Sequence, residues 1–292
     1  MRYRLIDWAE PYIGETAASI IFPIQPVMGA VAGIICTLVA VWWARRIGLV
    51  WWKCLLAAGS AALVAQGVAR VFWVITVFDK FLENPWILID PYTGGQTSFG
   101  ALTGAGIGAA LALYAMRAPM LQYADVLAPS GLVGIAIARV GCLLRGCDYG
   151  TPSDLPWAVQ YPELSSTYRK HLSLHLIDHD ATLSAPVHPF PIYLALWCMT
   201  CFVLVYLKPN LFGSKPGQRA VGVGLLYLVG RFIWEFWRQP GNAPMVWGPL
   251  NAGHAFAGVS FVVLLGLFAL VTRYSERLDR PRGRRPAAEQ PQ

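Results

Sequence analysis

Apolar runs of roughly 17 to 25 residues, the length that carries a helix across about 30 Å of hydrocarbon, recur along the whole chain. About seven are present: Pro26 to Ala44, Trp52 to Val77, Ser98 to Met116, Ala124 to Leu144, Pro189 to Leu207, Ala220 to Trp237 and Asn251 to Thr272. Such a chain is expected to be an all-α polytopic membrane protein of about seven transmembrane helices. Composition agrees, with 56% hydrophobic and only 13% charged residues, where an ordinary soluble domain has about a quarter charged.

Loop charge sets the expected orientation, because short cytoplasmic loops collect Lys and Arg. One set of loops holds Arg45, Arg46, Lys53, Arg117, Lys208, Lys215, Arg219, Arg273, Arg277, Arg280, Arg282, Arg284 and Arg285. The opposite set holds Arg2, Arg4, Lys80, Arg145, Arg169 and Lys170 beside Asp79, Glu83, Asp90, Asp148, Asp154, Glu163, Asp178 and Asp180. The N-terminus and a long 145–188 segment are therefore expected outside, and the C-terminus in the cytoplasm. Met1 to Glu15 mixes charged residues with Trp8 and Tyr12, so it lacks the apolar core of a secretory signal and reads as an interfacial segment kept on the mature chain. The expected organisation is residues 1–25 as that segment, 26–272 as the transmembrane domain, and 273–292 as a basic disordered tail. The net charge of +7 follows from this topology and from the Arg280 to Pro286 tail lying on anionic lipid. The expected partner is the membrane and not nucleic acid.

No internal repeat is visible. Gly100, Gly104 and Gly108 form a small-residue ridge for close helix packing. Pro23 and Pro26 are expected to delay entry into the first helix. Turn chemistry at Tyr149-Gly150-Thr151-Pro152 and Asp154-Leu155-Pro156 ends the fourth helix near Gly146.

Chemistry is expected where that fourth run meets the polar stretch. Arg139 lies on the apolar side of this seam, and an intramembrane arginine points to a functional site unless it has a partner. Arg231, Glu235 and Arg238 are spaced i, i+4 and i+7 and share one helix face. An Arg231–Glu235 pair alone would satisfy part of that face without function. With Arg70 also in an apolar run, one Glu235 cannot neutralise four arginines. A phospholipid phosphate supplies the missing anion, since a guanidinium is a rigid fork matching phosphate oxygens. Arg139 and Arg231, with Arg70 and Arg238, therefore read as a head-group site.

Cys198 and Cys201 lie in an apolar run and read as small hydrophobes. For Cys142 and Cys147 a disulfide, a free packing pair and a reactive thiol stay open, in that order. His171, His175 and His179 would line one face of an external helix, a spacing that can bind metal, though a polar surface helix is the plainer account. No metal or cofactor is assigned. His188 and His254 begin apolar runs and are candidates for acid–base work.

The stretch from Ala138 resembles the signature of the prolipoprotein diacylglyceryl transferase family, G-R-x-G-N-F-x-N-G-E-x-x-G followed by R-P-T-D-L-P-W-A-V. Arg139, Gly141, Gly146, Gly150, Pro152, Asp154, Leu155, Pro156, Trp157, Ala158 and Val159 fit it. Gly230 to Pro240 resembles the family's G-R-F-x-x-E-F-x-R-x-P, and weaker matches run from Val68-Ala69-Arg70-Val71 through Gly94-Gly95 with Gly100 and Leu102, and His188-Pro189 with Tyr193, to Leu250-Asn251-Ala252-Gly253-His254. The resemblance covers about Gly67 to about Gly258. It implies a seven-helix bundle in the bacterial inner membrane that moves the diacylglyceryl group of phosphatidylglycerol onto a lipoprotein precursor's cysteine thiol, releasing glycerol phosphate. Arg139 and Arg231 would then hold the phosphate and meet the leaving group's charge, with Glu235 orienting Arg231.

The chain departs from the pattern at several points. Phe99 stands where the family has a histidine, Cys142 and Cys147 replace its asparagine and glutamate, Pro191 and Leu194 its glutamine and glutamate, and Pro26-Val27 its Trp-Tyr pair. A weakly acidic thiol needs an adjacent base or a depressed pKa; His188, His254 and Asp148 are the alternatives. The same donor with another acceptor, or a non-catalytic lipid- or partner-binding bundle, are the rival readings. A transporter is disfavoured, since no inverted repeat is present.

Overall fold

A computed structural model describes residues 24–89, 95, 97–163, 165–239 and 245–278 of the chain. Most of the expected interfacial segment, Pro23, Asp90, Gly94, Pro240 and the Arg280 to Pro286 tail lie outside the described residues. The elements in order are α1 (Ile24–Arg46), α2 (Trp51–Thr76), α3 (Phe78–Glu83), a 3-10 turn (Pro85–Leu88), α4 (Ser98–Ala115), α5 (Met120–Arg145), α6 (Ser166–Ser173), α7 (Phe190–Leu207) and α8 (Gln218–Glu235). A two-stranded antiparallel pair follows, β1 (Met245–Trp247) and β2 (Leu250–Asn251), and then α9 (Ala252–Leu278).

This is an all-α polytopic membrane protein. Six of the described helices, α1, α2, α4, α5, α7 and α9, are long and apolar enough to cross a bilayer. The run expected as a further span is α8, which is not among them; its 18 residues carry Arg219, Arg231 and Glu235. Pro26 does not precede the first helix but lies in its first turn, where a missing backbone donor has no intrahelical partner to lose. At the other end α9 continues past Thr272 to Leu278.

The chain divides into two compact units. The second comprises residues 37–127, 215–217 and 274–292. Within it α4 packs on α2 through the glycine ridge. A Cβ on Gly104 would stand 2.7 Å from the Val64 carbonyl oxygen and 2.8 Å from Ala65 Cα, and one on Gly100 would stand 2.7 Å from Ala69 Cα. The Ser60 hydroxyl donates to the Gly108 carbonyl at 2.9 Å across the same contact. Arg70 extends from α2 and donates to the carbonyls of Leu88 (3.1 Å), Gly95 (3.3 Å) and Ile87.

The first unit comprises residues 1–36, 128–214 and 218–273. Its part of α1 approaches α5 at Gly141, where a Cβ would lie 2.8 Å from Met28 Cβ. Between α7 and α8, Gly230 leaves room for the Trp197 ring, whose Nε1 donates to the Leu226 carbonyl at 2.9 Å. The polar segment between α5 and α7 is folded. Gly146 ends α5 with φ +69°, and its carbonyl accepts from Ser166 and Thr167 at 2.6 and 2.7 Å.

The histidine face predicted for this segment does not form. Helix α6 stops at Ser173 and His175 takes φ +55°, so the four-residue period has no helix beneath it. His171 is buried edge-on against Tyr149, whereas His175 and His179 are exposed.

The α2–α4 contact yields a paired prediction. Gly104→Leu drives a side chain into the α2 backbone and is expected to abolish recovery of folded protein or to lower its thermal midpoint in detergent by more than 10 °C. Gly106→Ala, with nothing within 4 Å of the added carbon, is expected to leave that midpoint unchanged. Equal effects from the two would contradict the packing role.

Candidate functional site

The first unit holds a buried ionic cluster, built from the end of α8, the end of α5 and the turns that follow each. Helix α8 presents Tyr227, Arg231 and Glu235 at i, i+4 and i+8, all buried. Glu235 closes the helix, where the macrodipole's negative end disfavours a carboxylate. Two guanidiniums offset this: Arg231 Nη1 donates to Glu235 Oε2, and Arg238 Nη1 donates to Oε1 at 3.0 Å. Arg231 also lies 5.6 Å from the centroid of the Phe190 ring at the start of α7.

Helix α5 supplies Arg139, nearly two turns before its end at Arg145. Beyond the helix Asp148 takes a left-handed φ of +59°, a conformation that Asp tolerates better than most side chains. Its carboxylate then bridges two elements, accepting from Arg139 Nη1 and pairing with Arg238 Nη2 at 2.7 Å. Burial alone would push this carboxyl up, but Arg238 and Arg139 outweigh it and hold Asp148 below the usual carboxylate range. The resulting chain runs Arg139–Asp148–Arg238–Glu235–Arg231. Side-chain exposure is 8% at Arg139, peaks at 16% at Arg238 in the middle of the chain and falls to 3% at Arg231, so the cluster is most accessible at Arg238.

Three guanidiniums face two carboxylates here, a net charge of +1 held away from water. Tyr227 is buried on the same face of α8, one turn before Arg231. Arg238 Nε is buried with no hydrogen-bond acceptor among the described residues. A compact cationic cluster of fork-shaped donors is suited to a phosphate monoanion.

Backbone places these groups. Residues 149–152 run between two other segments: Thr151 N donates to the Trp237 carbonyl (2.9 Å), Gln239 N to Tyr149 (3.2 Å), Gly150 N to His188 (3.0 Å) and His188 N to Thr151 (3.0 Å). Gly150 lies at the crossing, since a Cβ there would stand 2.6 Å from His188 Cβ and 2.7 Å from the Trp237 carbonyl oxygen. At α9, Asn251 Oδ1 accepts from Gly253 N and His254 N at 2.8 and 3.2 Å, and Gly253 has no side chain to collide with the Glu235 carboxylate.

Arg139, Arg231, Glu235, Arg238 and Asp148 form one network, and Gly150 and His188 adjoin it through backbone. His254 is sealed, with Nδ1 in the Asn251 cap and its ring between Phe236 and Phe232, centroids 4.3 and 5.1 Å away. Arg70 belongs to the second unit, where it holds the carbonyls described above. Cys142 and Cys147 are free thiols lying against each other, the Cys147 thiol donating to the Cys142 carbonyl at 3.7 Å. The hydrogen bond with the Cys142 thiol and burial push the Cys147 thiol up. Sequence reasoning missed Tyr227, although its i−4 spacing from Arg231 was a usable signal, and missed Asn251 and Gly253 as the lid on Glu235.

The sequence model of the prolipoprotein diacylglyceryl transferase family matches residues 24–272. The phosphatidylglycerol–prolipoprotein diacylglyceryl transferase of Legionella pneumophila (strain Corby) is 30% identical over 186 residues, 62% of this chain and 64% of the relative. The enzyme of that name from Thermosynechococcus vestitus is 27% identical over 215 residues, 73% of this chain and 74% of the relative. That from Photorhabdus laumondii is 29% identical over 238 residues, 76% and 77%. The match therefore spans less than two thirds of the Legionella relative's length.

Asp148 is the joint of the cluster, and its removal leaves Arg139 and Arg238 facing each other. Asp148→Asn is expected to cost about 3–5 kcal/mol of stability, read as a lowered thermal midpoint in detergent. Because the folded carboxyl is held low, its contribution is complete above the unfolded pKa of about 3.9 and fades as pH falls through the lower folded value. The deficit of the variant should accordingly be the same at pH 7 and pH 5. A neutral substitution, or a deficit that disappears by pH 5, would contradict the bridging role.

Proposed function

We propose that this chain, which belongs to the prolipoprotein diacylglyceryl transferase family, moves the diacylglyceryl group of phosphatidylglycerol onto the cysteine thiol of a lipoprotein precursor. The observation that carries the reading is the surplus guanidinium charge at Arg139, Arg231 and Arg238. The phosphodiester of phosphatidylglycerol bears one negative charge, which balances that surplus.

In this reading the acceptor sulfur forms a bond to the glyceryl carbon that carries the phosphate. The carbon–oxygen bond breaks, and its electron pair leaves on glycerol phosphate. Charge on the phosphate grows from one to two as this happens. Guanidiniums already fixed by Asp148 and Glu235 meet that growth without reorganising, which is the condition for electrostatic stabilisation of a transition state. Glu235 and Asp148 act as positioning residues: they orient the forks of Arg231, Arg139 and Arg238 and limit their mutual repulsion. The names of the relatives, the apolar helices and the asymmetric loop charge support a bacterial inner-membrane location, with the precursor's apolar signal segment reaching the site through the bilayer.

The test is transfer of labelled diacylglyceryl from phosphatidylglycerol to a cysteine-containing precursor peptide by protein in proteoliposomes. Arg231→Ala and Arg139→Ala are each expected to lower the rate at least 100-fold, with Arg→Lys at either position recovering only part because a point charge replaces a fork. Rates within threefold of the unaltered protein would remove the reading. Transfer to a lipid in place of the peptide would keep the donor site and replace the acceptor.

A further inference from the structure

A thiol attacks slowly while it holds its proton, so the reaction proposed above needs an acceptor for that proton close to the arginine cluster. The chain has five histidines, and geometry separates them. His171 is fully buried against Tyr149. His254 is enclosed by Phe232, Phe236 and the Asn251 cap. His175 and His179 are exposed on the turns after α6. The carboxylates of Asp148 and Glu235 are committed to guanidiniums.

His188 differs on each count. It is half-buried, and its backbone adjoins Gly150, whose other side is bridged to Arg238. Two strand spacings separate the His188 and Arg238 backbones, roughly 10 Å, which is within the combined reach of the two side chains and a glyceryl phosphate. The ring is also held: Nδ1 lies 3.0 Å from the Tyr193 hydroxyl, which in turn accepts from Trp157 Nε1 at 2.9 Å. Tyr193 is itself packed on Trp234 of α8, centroids 5.2 Å apart. No step of the phosphate-holding site uses this His188–Tyr193–Trp157 line.

We propose that His188 Nε2 is the base that takes the acceptor thiol's proton, with Tyr193 as the positioning residue that accepts from Nδ1–H. The inference rests on the transferase reading. The sulfur's proton passes to Nε2 as the carbon–sulfur bond forms; the phosphate leaves as a dianion; the imidazolium then returns the proton to that phosphate, and neutral His188 is restored. Burial lowers the His188 pKa from its ordinary value, so the ring is neutral and able to accept at pH 7.

The experiment compares the full-length protein with His188→Gln and Tyr193→Phe in proteoliposomes, following transfer from phosphatidylglycerol to the precursor peptide between pH 6 and 9. His188→Gln is expected to lower kcat at pH 7 by 10²- to 10⁴-fold with KM for phosphatidylglycerol within threefold. At pH 9 the acceptor thiol, with a pKa of about 8.5, ionises unaided, and at least a tenfold part of the loss should return. Tyr193→Phe is expected to lower kcat about tenfold and to move the acid limb of the pH profile. A His188→Gln rate within threefold of the unaltered protein, a loss that stays constant from pH 7 to 9, or a loss accompanied by a raised KM for phosphatidylglycerol each overturns the proposal while the transferase reading stands. Absence of transfer by the unaltered protein overturns both, and is told apart because it precedes any substitution.

Discussion

Burying a guanidinium at the edge of an apolar bundle is among the costliest placements a side chain can have, and this protein buries two, Arg139 and Arg231, and half-buries a third, Arg238, in one place. Arg139, Arg231 and Arg238 are tied into a single ionic chain by Asp148 and Glu235. Each carboxylate is shared between two arginines, so no pair can be removed without exposing the next. Buried ion pairs of this kind rarely outperform apolar packing as a source of stability. Their retention in a membrane points to use, and the uneven charge count points to an anion as what they are for.

The surrounding backbone is arranged to bring these groups together. Arg139 comes from α5, Asp148 from the turn after it, and Arg231 and Glu235 from α8, elements separated in sequence by α6 and α7. They meet because residues 149–152 hydrogen-bond to the 237–239 segment on one side and to 187–188 on the other. Gly150 permits that threefold approach, and Gly253 permits α9 to start directly over Glu235. The same bridging puts His188 beside the cluster without adding another charge to it.

Much of this was readable from residue spacing. Period and length alone located the apolar helices, and the i, i+4, i+7 pattern put Arg231, Glu235 and Arg238 on one face, where the structure has them paired. The seam after Gly146 marked Arg139 and Asp148 as neighbours of a turn. Other features depend on tertiary contacts that no local pattern encodes. Spacing could not show that the Arg70 guanidinium donates to the carbonyls of Ile87, Leu88 and Gly95 within the second unit. The histidine period promised a helix face, but the helix ends before His175, whose backbone turns left-handed. That Asp148 bridges to Arg238, and not only to nearby Arg139, is a consequence of the 149–152 backbone path and has no signature in the spacing.

Binding of an anionic phospholipid's phosphate by the arginine cluster is what the proposed chemistry requires. Native mass spectrometry of the detergent-extracted protein, exchanged against equal amounts of phosphatidylglycerol and phosphatidylethanolamine, addresses it without relying on turnover. Selective retention of phosphatidylglycerol by the unaltered protein is expected, lost in Arg139→Ala and Arg231→Ala and kept in Arg70→Ala. Retention that survives both cluster substitutions, or that disappears equally in all three variants, would contradict it.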